Sequence, residues 1–565
     1  MTLLPPFSRF APAAALGVLA LPVLAGFAGT LLPAFGYLPA VGFTEFSLEP
    51  FRELVEEPGV GRSVWLSFQT GLLSTLVSVI IVAGFVAAWF GHNSFLAVRS
   101  LISPLLAVPH AAAALGLAFM IAPSGFLVRL ISPELTGWDR PPDLLIVNDQ
   151  NALALTAGLI VKEVPFLFLI TMAALPQVPV RRSLRLTAGL GYGQLAGFLL
   201  VTWPMIYRQI RLGIFAVLAF ASSVVDVSII LGPTIPSTLA VRLVEWMNDP
   251  DLSRRTVACA GACVQIAVTG ALLLFWIVVE RVCATIARVI LANGHRFERD
   301  IFVRQCARAA MVTSAALVFA GLAMMAVWSF AGLWTYPDAL PQNLNLRTWS
   351  RALPSLSGHV STTLLIGVSA TLLSIALVLG CLQRETEIGK NGTGRALYLL
   401  YLPLIIPQVG FLFGLQFLLV SGNADASLAA LILVHMIFVL PYVFLSLAPP
   451  WRAQDRRYDR VALALGASQR KVFWRIRVPM LLRAILAAMA VGFAVSVAQY
   501  LPTLLVGAGR FSTVTTEAVA LGTGGNRRVV GVYAFVQMLL PFVGFLLATI
   551  IPALLFRNRR AINLG

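Results

Sequence analysis

Charge is what this chain lacks most. Only 12% of its 565 residues are Asp, Glu, Lys or Arg, about half the share in an ordinary soluble domain, which excludes a solvated surface over most of its length. Histidine and cysteine are also sparse, at five each. The histidines form no pair at helical spacing. Cys259, Cys263, Cys283, Cys306 and Cys381 have no zinc-site spacing and read as packing residues, so neither a metal centre nor a disulfide framework is indicated. No Gly-x-x-x-x-Gly-Lys-Ser/Thr run occurs, which leaves the chain without a P-loop for nucleotide. No nucleophile with a base stands out either, and that argues against an intramembrane enzyme.

Apolar residues are abundant, at 59% of the chain, and the mean hydropathy is +0.87. Stretches of about 20 apolar residues recur along the whole length, each long enough to cross about 30 Å of hydrocarbon as a helix. Helices are the expected form because every backbone polar group must find its partner internally. The reading is an all-α membrane protein of about 12 transmembrane helices. The expected spans are 12–35, 63–90, 98–122, 151–175, 206–231, 256–280, 309–333, 358–382, 396–420, 425–448, 481–506 and 529–556. Arg9 precedes an apolar run that continues to Phe35 without a small-x-small cleavage site, so an uncleaved first span is expected.

A net charge of +17 would suit a nucleic-acid partner if it were spread over a soluble surface. Instead it follows topology. With the N-terminus in the cytoplasm, most Lys and Arg fall on the cytoplasmic side, densest in 281–308 and 452–483, while the acidic loop 36–62, with Glu45, Glu49, Glu53, Glu56 and Glu57, falls outside. The expectation is a multi-pass inner-membrane protein with both termini cytoplasmic, lipid around it and no nucleic-acid partner.

Self-comparison shows an internal repeat. The segment from Ser63 aligns with the segment from His359, so that Gly71 meets Gly367, Leu76 meets Leu372, Ser78 meets Ser374 and Gly84 meets Gly380. Further on Pro109 meets Pro407, Gly116 meets Gly414, Pro165 meets Pro441 and Gly191 meets Gly466. Two six-span modules, 1–290 and 309–565, are joined by a basic cytoplasmic linker, 291–308. An even number of spans per module makes the repeats parallel, with the solute path between them.

Two segments break the span pattern. From Asp459 to Pro479 the sequence reads as a helix, a Gly466 stop, a Ser468 cap and a second short helix. The short helix offers Phe473, Trp474 and Ile476 among Arg470, Lys471, Arg475 and Arg477. Such an elbow can seat aromatic residues in a groove on a soluble partner, or lie as a basic amphipathic loop on anionic lipid.

The run from Arg460 through Ala462, Gly466 and Ser468 to Pro479 resembles the Glu-Ala-Ala loop of permeases in binding-protein-dependent ABC importers. The same spacing recurs from Arg185 through Ala188 and Gly191 to Pro204. Fused two-module permeases of this kind are similar to those for thiamine and ferric iron, within the spermidine, sulfate and molybdate group. The phrases from Asp226 and from Ala494 look closest to thiamine-type permeases. The resemblance implies a type I importer-like fold, a coupling helix in each loop that docks in a cleft of an ATPase subunit present in two copies, a periplasmic solute-binding protein, and a small-molecule or ion substrate. It implies no cofactor. The family's leading Glu is replaced by Arg185 and Arg460, and the first copy carries no charge from Leu186 to Tyr207.

Lys162, Glu163 and Asp226 are the charges that fall within spans. Each costs about 2.5–3.5 kcal/mol at a helix centre, so each is expected to be paired or to face water. They are candidates for the path, together with Pro165, Pro441, Gln408 and Gln499, and His435 is a weaker one. A Lys162–Asp226 pair is expected from the need to neutralise both. Loops 36–62, 123–150, 232–255 and 334–357 are expected docking surfaces for the binding protein. The rival reading is a proton-coupled secondary transporter with two six-span halves, using Asp226, Glu163 and Lys162; it leaves the duplicated loop unexplained.

Overall fold

A computed structural model describes residues 5–389 and 394–557. The chain ends expected in the cytoplasm lie outside the described residues. Helices dominate and no strand is formed among the described residues; two isolated bridges, Leu38 with Phe43 and Ala331 with Leu344, are the sheet-like contacts. Ten helices are long and apolar enough to cross a membrane, and twelve if each of two bent pairs counts as one span.

The first repeat consists of α1 (Pro5–Ala34), α2 (Val60–Trp89), α3 (His110–Ile121), α4 (Leu153–Ala174), α5 (Val180–Gly189), α6 (Trp203–Ser223), α7 (Asp226–Leu231), α8 (Leu239–Met247) and α9 (Arg254–Ala292). The second repeats the order with α10 (Ile301–Phe330), α11 (Arg347–Ile388), α12 (Val409–Ser421), α13 (Leu428–Ala453), α14 (Arg457–Ala464), α15 (Leu482–Val497), α16 (Leu501–Gly507), α17 (Val514–Gly522) and α18 (Arg527–Leu555).

The small residues set how these helices meet. In α2 a buried stripe of Ser63, Ser67, Thr70, Gly71, Ser74 and Ser78 runs at helical spacing, while Trp65, Leu73, Val77 and Ile80 stay exposed. Two of the side-chain hydroxyls satisfy themselves on the preceding turn, Thr70 donating to the Leu66 carbonyl at 2.8 Å and Ser74 to that of Thr70 at 2.6 Å, which lowers the polar cost of burying the stripe. Its counterpart in α11 buries Thr363, Gly367, Ala370, Thr371 and Ser374. Gly71 lies against Ser222 of α6 and Gly367 against Phe493 of α15, the same crossing made twice.

The first helix of each repeat packs on the opposite repeat. Helix α1 lies along α12 and α11, and α10 lies along α3 and α2. At the first crossing a side chain on Gly414 would start 2.0 Å from the Gly26 carbonyl oxygen; at the second, one on Gly116 would start 2.9 Å from the Gly321 carbonyl carbon. Backbone meets backbone in both, a closeness that only glycine permits.

Several span boundaries differ from the sequence reading. The expected span 98–122 is a short helix, Asn93–Ile102, followed by a tight turn at Ser103–Ala107, and the third span starts only at His110 and reaches Ile131; Pro109 forces the break. Segment 396–420 bends by 96° before Val409, and the segment from Gln469 to Val497 bends by 73° at Leu481. The stretch 206–231 ends its long helix at Ser223 and restarts as α7. Much of the segment read as a linker is helical, because α9 runs to Ala292 and α10 begins at Ile301, leaving Asn293–Asp300 as the strap. Part of loop 232–255 is inward-facing: it holds α8, whose Leu239, Ala240 and Leu243 are fully buried, packed on α9, while Ile235 and Leu252 are exposed.

Candidate functional site: two elbows and a buried charge cluster

Each elbow begins with a short amphipathic helix, α5 or α14, and turns at a glycine. Gly191 and Gly466 both have φ of +82°, left-handed backbone that a side chain strains. In each copy the Gly is followed seven residues later by a π-helical turn, Phe198–Thr202 and Phe473–Arg477, which widens the helix just before Pro204 and Pro479. A π-turn is rare enough that its recurrence in the same register marks the two loops as one device made twice.

In the second elbow Ser468 caps the short helix, its side chain accepting the Lys471 N–H at 3.4 Å. Arg477 is 5% exposed and pairs with Asp459 on α14 and with Gln383 on α11. It also lies 5.3 Å over the Trp451 ring. A bidentate-capable guanidinium thus ties both arms of the elbow to the bundle.

Phe473 corrects the sequence reading. It is 5% exposed and packs on Trp451 and Trp474, with centroids 6.2 and 5.0 Å apart, so it anchors the elbow from beneath and offers no face to a partner. The exposed large apolar residues include Trp474, Leu465, Val461 and Leu463, with Ala462 half-buried and Arg460 open. In the first elbow Leu186 and Leu190 are exposed in the matching register, as are Arg185, Ala188 and Pro204. Arg185 lines a groove of about 560 Å³ with Arg99, Arg181 and Arg182.

Away from the elbows, the buried charges of the first repeat gather near its contact with the second. Glu163 on α4 is 3% exposed, and the His110 Nε2 that opens α3 lies 3.6 Å from its carboxylate. The imidazole packs at a tilt of 52° against Phe220, centroids 4.6 Å apart. Asp226 is 8% exposed at the first turn of α7 and lies within electrostatic reach of His110. Two tyrosines of the second repeat lie within electrostatic range of these acids, Tyr442 of Glu163 and Tyr500 of Asp226.

The expected Lys162–Asp226 pair does not form. Lys162 is 5% exposed and its ammonium donates to the Leu105 carbonyl at 3.1 Å, with Glu163 as its neighbouring opposite charge. The Leu105 carbonyl closes the turn at Ser103–Ala107 by accepting the Val108 N–H at 3.3 Å, and its oxygen accepts the Lys162 ammonium as well, so the lysine is met by a backbone acceptor and not by the aspartate.

Pro165 and Pro441 both lie buried inside their helices, α4 and α13. Gln408 stands at the 96° bend before α12, and Gln499 is 8% exposed between α15 and α16. His435 is satisfied at both nitrogens, by Ser496 at 2.8 Å and Thr503 at 3.0 Å, the arrangement of a structural cross-helix bond rather than a free ligand. Among the described residues no group of three potential metal ligands occurs.

An inner-membrane ABC transporter permease of Escherichia coli K12, YnjC, is 31% identical over 490 residues, covering 85% of this chain and 87% of that protein. The chain belongs to the permease family of ABC transporters. A PotC homolog of Mycoplasma pneumoniae, a spermidine/putrescine transport system permease, is 26% identical to this permease over 231 residues, which is 78% of that protein but 40% of the permease. That ratio fits a one-module relative matching one half of a fused pair. The molybdenum transport system permease ModB of Mycobacterium tuberculosis is 31% identical over 130 residues, 49% of its length. No protein-family model matches the permease.

Sequence reasoning missed His110, Tyr442 and Tyr500. A signal for His110 was present, since it follows Pro109, one of the paired prolines of the repeat. The tyrosines carried none, because their meeting with the acids depends on how two segments more than 250 residues apart cross.

Proposed function

We propose that this permease is the membrane-spanning core of an ATP-driven importer that hydrolyses no nucleotide itself. Its elbows, Arg185–Pro204 and Arg460–Pro479, dock two copies of a cytoplasmic ATPase subunit, and both chain ends lie in the cytoplasm. A periplasmic binding protein delivers a small solute, of the thiamine type if the resemblance of the Asp226 and Ala494 phrases extends to substrate. The modules 1–290 and 309–565 pivot to open the path alternately. The observation that carries this reading is the duplicated elbow: the same left-handed glycine and the same π-turn in the same register, which a lipid-resting loop has no need to conserve in shape.

Energy would enter where the tips meet the ATPase. Leu465 and Trp474, 83% and 53% exposed, are the apolar knobs such a cleft would take up. The double variant Leu465→Asp with Trp474→Ala is expected to insert in the membrane normally and to lose co-purification with the ATPase subunit. Undiminished co-purification sinks the reading.

The buried His110–Glu163 contact favours the rival, proton-coupled transport. Uptake that continues without the ATPase and collapses with the proton gradient decides for it.

A further inference from the structure

The elbows match in backbone but differ in what completes them. In the second, Ser468 supplies the cap, and Arg470, Lys471 and Arg475 supply exposed positive charge. The same register in the first elbow holds Gly193 in place of Ser468, and Leu195, Ala196, Leu200 and Thr202 in place of Arg470, Lys471, Arg475 and Arg477. Neither cap nor charge is left.

Both are supplied by the strap Asn293–Asp300. The Asp300 carboxylate accepts the Leu195 N–H at 2.9 Å, the bond a capping residue would make. The Gly193 N–H donates to the Arg296 carbonyl at 3.0 Å. The strap also lies too close for any side chain at 193, where a Cβ would sit 2.3 Å from the Phe297 carbonyl oxygen. Arg296 crosses Gly191, its guanidinium 2.9 Å from where a Cβ would stand. Asp300 is 7% exposed, whereas Arg296 and Arg299 are open.

The far end of the strap is held down. Trp89 Nε1–H donates to the Arg304 carbonyl at 3.0 Å, and the Arg304 and Arg308 guanidinium groups lie 5.3 and 4.8 Å over the Trp89 ring. Among the described residues nothing comparable covers Gly466, where a Cβ would meet open space.

We infer that the strap completes the first ATPase-docking surface, Asp300 acting as its cap and Arg296 and Arg299 as its positive charge. The inference rests on the reading of the elbows as ATPase contacts. Two copies of one ATPase present the same cleft twice, so the two elbows must offer it equivalent charge. The first can do so only with the strap in place.

The test uses the full chain purified with its ATPase subunit and a photo-cross-linking phenylalanine analogue in place of Leu190 or Leu465, the register-equivalent tips, 63% and 83% exposed. Introducing Arg296→Glu with Arg299→Glu is expected to lower the Leu190 cross-link about tenfold and to leave the Leu465 cross-link within about twofold. Both arginines are open, so membrane yield should hold; Asp300→Asn, which keeps the size of the cap but weakens its charge, should shift the yields the same way. Cross-links that are unchanged at both tips, or that fall equally at both, overturn the inference. A parent chain that cross-links at Leu465 and not at Leu190 overturns the inference alone. One that cross-links at neither overturns the ATPase reading itself.

Discussion

The two repeats share a skeleton and divide the chemistry between them. The first keeps buried charges in the helical bundle, at Lys162, Glu163 and Asp226, and has none from Leu186 to Tyr207. The second puts its charges on the elbow, with Arg470, Lys471, Arg475 and the Arg477–Asp459 pair, and answers the buried acids with Tyr442 and Tyr500. Once two copies are fixed in one chain they need not stay alike. Those buried acids occur in one copy only, and the uncharged stretch Leu186–Tyr207 lies against the strap Asn293–Asp300.

The sharpest way to break that comparison is at Arg477. Arg477→Ala leaves Asp459 buried without its partner, and should cost about 3–5 kcal/mol; Thr202→Ala at the equivalent position of the first elbow should cost about 1 kcal/mol or less. Thermal unfolding in detergent, followed for each variant, checks the ratio. Equal losses would mean that the second elbow does not depend on its ion pair.

The glycine crossings come next. Gly414→Ala and Gly116→Ala both force backbones apart, at about 1–3 kcal/mol each, with the larger loss at Gly414 because its approach to α1 is the closer. Membrane yield and melting temperature read the difference. A Gly116 variant as damaging as its counterpart would make the two crossings equivalent in tightness.

The smallest effect separates the buried charges. Lys162→Met and Asp226→Asn should each lower transport by about tenfold, or about 1.4 kcal/mol. Since the lysine bonds to Leu105 and not to the aspartate, the double variant should show the sum of both losses. Rescue in the double variant would restore the direct pair that the sequence suggested.

Much of the architecture was legible in the chain. Apolar run lengths mark the spans because lipid leaves the backbone no other partner, and paired glycines and prolines reveal the repeat because close crossings and bends admit few alternatives. The elbows were readable from Gly466, Ser468 and Pro479 for the same local reason. Phe473 was misjudged, since whether an aromatic residue on a short basic helix points out or in depends on Trp451 lying beneath it. The Lys162–Asp226 pair failed on a similar ground: charge balance names a need, while the carbonyl of Leu105 at the turn before α3 meets it first. Asp300 was hidden inside a stretch that reads as a tether, and its role depends on the missing side chain of Gly193, 107 positions earlier.

The exchanged first helices bear on how the molecule is made. Helix α1 emerges from the ribosome some 375 residues before α12, the segment it must lie against, so at about 5–20 residues per second it waits for tens of seconds in the lipid without its seat. During that time the first half carries a vacancy for a helix that has not yet been translated, and a fragment ending at the strap would carry it permanently. Joining both halves in one polypeptide guarantees that the occupant arrives, in equal number and at high local concentration.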